Sequence, residues 1–291
     1  MKILTTIQEM RQACRQARRA AREGAALGLV PTMGAIHQGH LSLVEAARRD
    51  CDVVAASIFV NPLQFGPKED FASYPRTFDD DCMKLAAAGV DLLFAPPVKE
   101  MYPPGATTFV EVDGLSERLD GASRPGHFRG VATVVNKLFN IVAPDYAYFG
   151  QKDAAQVAVL QAMVRDLNLP VRIVVCPIVR EPDGLAMSSR NVYLSPEERT
   201  QALSLSRALH LVEERIHQGE TSTELLRSLA ADVLSREPSI RPDFIEIVDP
   251  ATLDPVASIT SGALIALAAW VGRTRLIDNL KLEPATDSRK A

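Results

Sequence analysis

The chain has 291 residues with 36 acidic side chains against 32 Lys plus Arg, a formal charge of −4, 47% hydrophobic and 23% charged residues. This balance excludes an intrinsically disordered chain and a disulfide-stapled miniprotein, and it leaves no broad basic face for neutralising nucleic-acid phosphates. At roughly 100 to 200 residues per domain, the length gives one large domain or two.

Met1 to Leu4 is too short an apolar start for a signal-peptide core. Arg11, Arg15, Arg18, Arg19 and Arg22 then read as the solvated basic face of a helix, interrupted by Glu9, in a protein expected in the cytoplasm. An apolar run at 25–30, a glycine-containing loop at 31–39, a helical pattern at 40–49 and a second apolar run at 52–60 form a βαβ unit. Its continuous apolar strands suit a parallel sheet covered on both faces. The alternation recurs as helix 79–89, strand 90–95, helix 128–140, strand 146–149, helix 153–167 and strand 171–175. This rhythm predicts a doubly wound, Rossmann-like α/β domain over residues 1–179.

From Arg180 the texture changes. A polar loop runs to Asn191, and Ser195-Pro196-Glu197-Glu198 opens a helix with Pro at the first helical position and acids behind it. Helices at 196–217 and 221–235, a strand at 243–248 and two apolar runs at 263–271 and 274–280, joined through Gly272-Arg273, predict a smaller α+β lid domain over 180–283. A polar tail, 284–291, follows. Cys14, Cys51, Cys82 and Cys176 form no CxxC and have no His at metal-ligand spacing, so they read as reduced structural thiols. The longest apolar run, 263–271, falls short of the roughly 20 residues that span a bilayer. Trp270, in that run, reads as core.

In open α/β sheets ligands bind beyond the carboxyl ends of the strands. Three segments there carry chemistry. The first, Pro31-Thr-Met-Gly-Ala-Ile-His37-Gln-Gly-His40, brings imidazoles and glycine to a helix start, where unpaired N–H groups and the helix dipole favour an anion. His37 and His40 serve equally well as loop and cap residues on this evidence, and a zinc pair lacks its further ligands. The second, Phe149-Gly150-Gln151-Lys152-Asp153, enters a helix from a strand. Lys152 could hold a phosphate or lie in solvent, and Asp153 could cap the helix or accept from a ribose hydroxyl. The third, Leu185-Ala-Met187-Ser188-Ser189-Arg190-Asn191, sets hydroxyls beside an Arg in the junction loop, where lids close over ligands. Asp79-Asp80-Asp81 could bind a metal, but acids complementing a helix dipole explain them better.

Together these segments follow the order of the nucleotidyl-transfer superfamily with HIGH and KMSKS signatures. The chain resembles the pantothenate synthetases, or pantoate–beta-alanine ligases, in Val30-Pro-Thr-Met-Gly-Ala-Ile-His-Gln-Gly-His40, Ser57-Ile-Phe-Val-Asn-Pro-Leu-Gln-Phe-Gly66, Tyr74-Pro-Arg-Thr77, Gly126-His-Phe-Arg-Gly-Val131, Phe149-Gly-Gln-Lys-Asp153 and Gly184-Leu-Ala-Met-Ser-Ser-Arg-Asn191. No Lys precedes Met187, which is usual in this family and argues against a tRNA synthetase.

The resemblance implies ATP-dependent condensation of (R)-pantoate with beta-alanine through a pantoyl adenylate, with Mg²⁺ on the phosphates and a homodimeric state. It assigns catalysis to His40 as proton donor, His37 as phosphate contact, Lys152 as transition-state cation, and Arg190. It places Met33, Gly34, Ala35, Ile36, His37, Gln38, Gly39, His40, Gly150, Gln151, Lys152, Asp153, Val179, Met187, Ser188, Ser189 and Arg190 around ATP. Gln64 and Gln156 hold pantoate in that reading, with Gln64 also near beta-alanine. Asn61, Phe59, Arg124 and His127 are their neighbours, and no protein metal ligand is assigned. Two other readings stay open on the sequence: a nucleotidyltransferase of the same superfamily that joins a nucleotide to a phosphorylated small molecule and stops there, and an inactive nucleotide-binding or scaffold protein that keeps the fold.

Overall fold

The computed structural model describes residues 1–67, 69–259 and 262–283, so the expected polar tail at 284–291 lies outside the described residues. The chain divides into two compact units: Met1–Gln151 with Val159–Val179, and Lys152–Ala158 with the chain from Arg180 onward.

The first unit is built on six parallel strands: β1 (Lys2–Leu4), β2 (Leu27–Thr32), β3 (Val53–Ile58), β4 (Leu92–Phe94), β5 (Tyr146–Gly150) and β6 (Arg172–Cys176). Their order is β1-β4-β3-β2-β5-β6. The helices in chain order are α1 (Ile7–Ala21), α2 (Gln38–Asp50), α3 (Phe78–Ala87), α4 (Val98–Met101), α5 (Asp120–Ser123), α6 (His127–Val142) and α7 (Ala154–Asp166), whose first residues count with the second unit. This is the expected Rossmann-like fold. Val53 to Ala56 are at most 4% exposed, as strands covered on both faces must be. Val30, Val44, Val54, Leu85, Leu93 and Tyr148 share one core cluster.

Strand β1 was not expected, because three residues carry no readable period. Among the described residues it pairs only with β4, Lys2 opposite Leu92, at the sheet edge. Helix α1 opens with a capping box in which Thr6 accepts from Glu9 N and the Glu9 carboxylate accepts from Thr6 N. Its basic face is exposed at Arg11, Arg15, Arg19 and Arg22, but Arg18 departs from the solvated reading. Arg18 donates to the carbonyls of Ala25 and Ala143 and pairs with Asp145 at 2.7 Å.

The second unit holds an antiparallel sheet, β7 (Ile240–Val248), β8 (Ala263–Val271) and β9 (Thr274–Leu282), in that order, with α8 (Pro196–His217) and α9 (Thr223–Ser235). Ser195 caps α8 and forms a capping box with Glu198. Central β8 is apolar along its length because helices and both neighbouring strands enclose it; Ile265, Leu267, Ala269 and Val271 join Leu205, Leu209 and Leu226 in one core. The turn Gly272-Arg273 closes the hairpin with Val271 opposite Thr274. Strand β7 begins three residues before the expected 243. Pro242 obscures that start in the sequence, and the structure accommodates it on an edge strand with a register shift between Pro242 and Phe244. Trp270 is only half-buried, with the Arg241 guanidinium 5.6 Å from its ring centroid, so it is a rim residue and not core.

Candidate active site

Strand order reverses around β2, with β3 on one side and β5 on the other, so the loop leaving β2 stands at the topological switch point. Thr32 Oγ1 donates to the Ser57 carbonyl at 2.6 Å and accepts from Gly34 N at 3.2 Å. Gly34 (φ +88°) and Ala35 (φ +52°) are left-handed, which turns successive amides to one side as a nest for an anion. That anion belongs to the protein itself. Asp81, 1% exposed, accepts from Ala35 N at 2.9 Å and Ile36 N at 2.7 Å, and Thr77 Oγ1 donates to it at 3.1 Å. A Cβ on Gly34 would stand 3.0 Å from Asp81 Oδ2. Lys84 Nζ donates to the Ile36 carbonyl at 2.9 Å and pairs with Asp80 at 2.6 Å. The dipole reading thus suits exposed Asp79 and Asp80, but Asp81 is corrected: it is a clamp on the β2 loop, turned inward from α3.

His37 is the N-cap of α2. Its Nδ1 accepts from Gly39 N at 3.1 Å, and His40 Nδ1 accepts from His37 N at 3.4 Å; the ring centroids lie 4.1 Å apart. An Nδ1 that accepts leaves the proton of a neutral imidazole on Nε2, so each ring is a donor through Nε2. The amides of His40 and Leu41 donate to the His37 carbonyl. The unpaired amides expected at this helix start are therefore largely committed, and the imidazoles carry the donor role.

The loop after β3 meets this one. Gln64, 9% exposed, donates through Nε2 to Met33 Sδ at 3.1 Å, and its Oε1 accepts from Asn61 Nδ2 at 3.1 Å. Asn61, 1% exposed, also donates to the Gly130 carbonyl at 3.0 Å and accepts from Tyr102 Oη at 2.9 Å and Leu63 N at 3.3 Å. Its amide is thus spent on bracing Gln64. Burial pushes the Tyr102 phenol pKa up, which keeps it a proton donor.

From beneath, His127 Nδ1 donates to the Gln64 carbonyl at 2.8 Å, and Arg124 donates to the same carbonyl at 3.2 Å and grips Glu69 through two nitrogens, at 2.8 and 2.7 Å. Burial works against the Glu69 charge, but the Arg124 hydrogen bonds and charge outweigh it and hold the carboxyl below its ordinary value. Met33, Phe59, Val60, Phe71 and Pro97 contribute to a neighbouring cleft of about 280 Å³. Met33, Phe59, Asn61, Gln64, Arg124 and His127 thus form one connected neighbourhood in the first unit. Tyr102 and Glu69 were missed, because nothing local in the sequence ties them to these loops. Gly150, Gln151 and Val179 are half-buried in the first unit, at the ends of β5 and beyond β6.

In the second unit Lys152 is half-buried, its ammonium 4.0 Å from Asp153 Oδ1. Gln156 is half-buried on α7. Ser188 caps a 3-10 turn, Ser189–Tyr193, by accepting from Arg190 N at 3.2 Å. Met187, Ser189 and Arg190 are half-buried beside it, and Asn191 Nδ2 ties the turn to Glu181 at 2.7 Å and to the Ala186 carbonyl at 3.1 Å.

A switch-point loop with two imidazoles, joined through Met33 to a braced, buried amide, fits the class of α/β enzymes that act on small molecules. Comparison with known proteins narrows the class. The family model described as pantoate-beta-alanine ligase matches residues 2–281. A pantothenate synthetase of Koribacter versatilis is 57% identical over 289 residues, covering 99% of this chain and 98% of its own. One from Acidobacterium capsulatum is 63% identical over 88% of this chain and 86% of its own. Among solved structures, the Thermus thermophilus pantothenate synthetase superposes with a TM-score of 0.91 at 49% identity, covering 98% of this chain and 100% of that one. The Francisella tularensis pantoate-beta-alanine ligase, complexed with beta-gamma ATP and beta-alanine, gives 0.78 at 33% identity over 96% and 97%. The chain belongs to the pantoate-beta-alanine ligase family.

Proposed function

We propose that this ligase condenses (R)-pantoate with beta-alanine, using ATP, through a pantoyl adenylate. A pantoate carboxylate oxygen attacks the α-phosphorus and pyrophosphate leaves. The beta-alanine amine then attacks the acyl carbon, the bond to AMP breaks, and the amine gives up a proton. Charge builds on the phosphate oxygens in the first step, so placed donors matter more than a strong base. The observation that carries this reading is the pair of imidazoles whose Nδ1 atoms accept from the backbone, making Nε2 the donor of each neutral ring.

In this reading His37 contacts phosphate, His40 donates its Nε2–H as a hydrogen bond to the leaving oxygen as that oxygen develops charge, and Lys152 is the transition-state cation. Ser188, Ser189 and Arg190 hold the triphosphate. Gln64 takes pantoate through its amide, with Asn61 acting through Gln64, and Gln156 supplies a second amide. The remaining residues assigned to ATP, from Met33 to Gly39 with Gly150, Gln151, Asp153, Val179 and Met187, shape its surroundings.

Mg²⁺ belongs to the proposal as a companion of the triphosphate, where it would supply positive charge against the phosphates, and no protein residue is assigned to hold it. Among the described residues no group of three or more His, Cys, Asp or Glu side chains stands ready to cage a metal ion. A homodimer and a cytoplasmic location complete the reading; among the described residues no helix is long and apolar enough to cross a membrane. Pyrophosphate release that needs pantoate, followed by AMP and pantothenate formation that needs beta-alanine, is the expected result of an assay with all three substrates. Pantoate-dependent pyrophosphate release with no pantothenate on adding beta-alanine rejects the ligation.

A further inference from the structure

We infer that Asp278 and Asn279, adjacent on β9, are positioning residues that fix the Lys152 turn and the base of the 180–191 loop to a single strand. The second unit then holds its two ATP-directed elements in one rigid setting. This inference rests on the assignment of Lys152 and Arg190 to ATP.

Successive strand side chains point to opposite faces, so neighbouring polar residues in a strand normally place at least one in water. Asp278 and Asn279 are each 2% exposed. Burying both is unfavourable unless each finds partners, and the partners are specific. Asp278 accepts from both terminal nitrogens of Arg180, at 2.6 and 3.0 Å, and from Asn279 N at 2.8 Å. Arg180 donates in turn to the Gly184 carbonyl at 3.1 Å, its backbone bridges to Ala186, and Glu181 N donates to the Leu185 carbonyl at 2.8 Å. The tight turn that launches Met187 to Arg190 is thus closed on a guanidinium held by Asp278.

On its side Asn279 donates through Nδ2 to the carbonyl of Lys152 at 2.8 Å. That carbonyl lies in the 3-10 turn Gln151–Asp153, so the bond fixes the backbone from which the Lys152 side chain departs. The ammonium itself has little to hold it, with Asp153 at 4.0 Å. Stability alone is a poor reason for this arrangement, since well-packed apolar residues commonly replace buried ion pairs without loss. Placement is the better reason, because a misplacement of about 1 Å can cost a catalytic group on the order of 100-fold in rate.

The test is a pair of double-mutant cycles on the full chain, reading pantoate-dependent pyrophosphate release. Asn279→Ala is expected to lower kcat on the order of tenfold, the scale of one hydrogen bond, with KM for pantoate within about twofold. In a Lys152→Ala background the same substitution is expected to cost nothing further, because it acts through Lys152. Asp278→Asn is expected to behave likewise against Arg190→Ala. A merely structural role would lower turnover by the same factor in either background, and that additive result, or no loss at all, removes the residue concerned from the pair. If Lys152→Ala or Arg190→Ala alone keeps full turnover, the ATP assignment of that residue fails first and takes its half of the inference with it. Should Asn279→Ala not fold, Asn279→Ser, polar but too short to reach the Lys152 carbonyl, carries the same comparison.

Discussion

His37 and His40 cap their own helix start with Nδ1, so their chemistry is that of paired Nε2 donors. Under the proposed mechanism such donors and Lys152 matter most as phosphate charge develops. His40→Ala and Lys152→Ala are each expected to lower turnover of adenylate formation by roughly 100-fold or more, with an unchanged unfolding midpoint for Lys152→Ala and a slightly lowered one for His40→Ala, which also loses its bond to the His37 N–H. Near-normal turnover in both would refute their roles. Asp81 offers a separate test. Replacing it with Asn sets an amide N–H against the amides of Ala35 or Ile36, so a loss of about 2 to 4 kcal/mol is expected in urea unfolding, from a broken charge-assisted contact and a buried donor left unpaired. The place of the histidines at a helix start was legible because glycines and the onset of a helical pattern mark it. Asp81 was not, because three acids in a first helical turn already satisfy a local explanation, and only the tertiary fold brings it to a loop 45 residues earlier.

Elements place the Gln64 amide, which takes pantoate in the proposed function. Helix α6 approaches the Gln64 turn so closely that a Cβ on Gly130 would collide with the Leu63 carbonyl and come within 2.7 Å of Gln64 N. In an unhindered helix Gly→Ala stabilises by about 1 kcal/mol. Gly130→Ala is expected instead to destabilise and to raise KM for pantoate, with KM for ATP nearly unchanged; steady-state kinetics with each substrate varied will separate the two.

The Arg124–Glu69 brace on the same turn predicts a pH dependence. Because the folded carboxyl sits below its ordinary 4.5, its contribution is fully present above that value and is lost as pH falls through the folded pKa. Parent and Glu69→Gln are therefore expected to differ in urea midpoint at neutral pH and to converge below 4.5. A constant difference would remove the ion pair as the cause. At this scale the sequence was informative: the βαβ alternation and the Ser195-Pro196 start of α8 were legible because periodicity and capping are local. Strand β1 and the beginning of β7 were not, since one is too short to show a period and the other is masked by Pro242.

Across the whole molecule, a net charge of −4 says little about an ATP-using enzyme, because the cations and donors that the proposed function requires are few. Both fold classes were legible from the change of rhythm near Arg180. The pairing of Asp278 with Arg180, nearly one hundred positions apart, was not, because it depends on strand register. The central claim, that pantoate is activated as an adenylate, is tested most directly with pantoate labelled by ¹⁸O in its carboxylate. The account predicts that one labelled oxygen appears in AMP after pantothenate forms, because the attacking oxygen stays on phosphorus when the amide bond is made. Label in pyrophosphate or inorganic phosphate, or AMP without label, would contradict it.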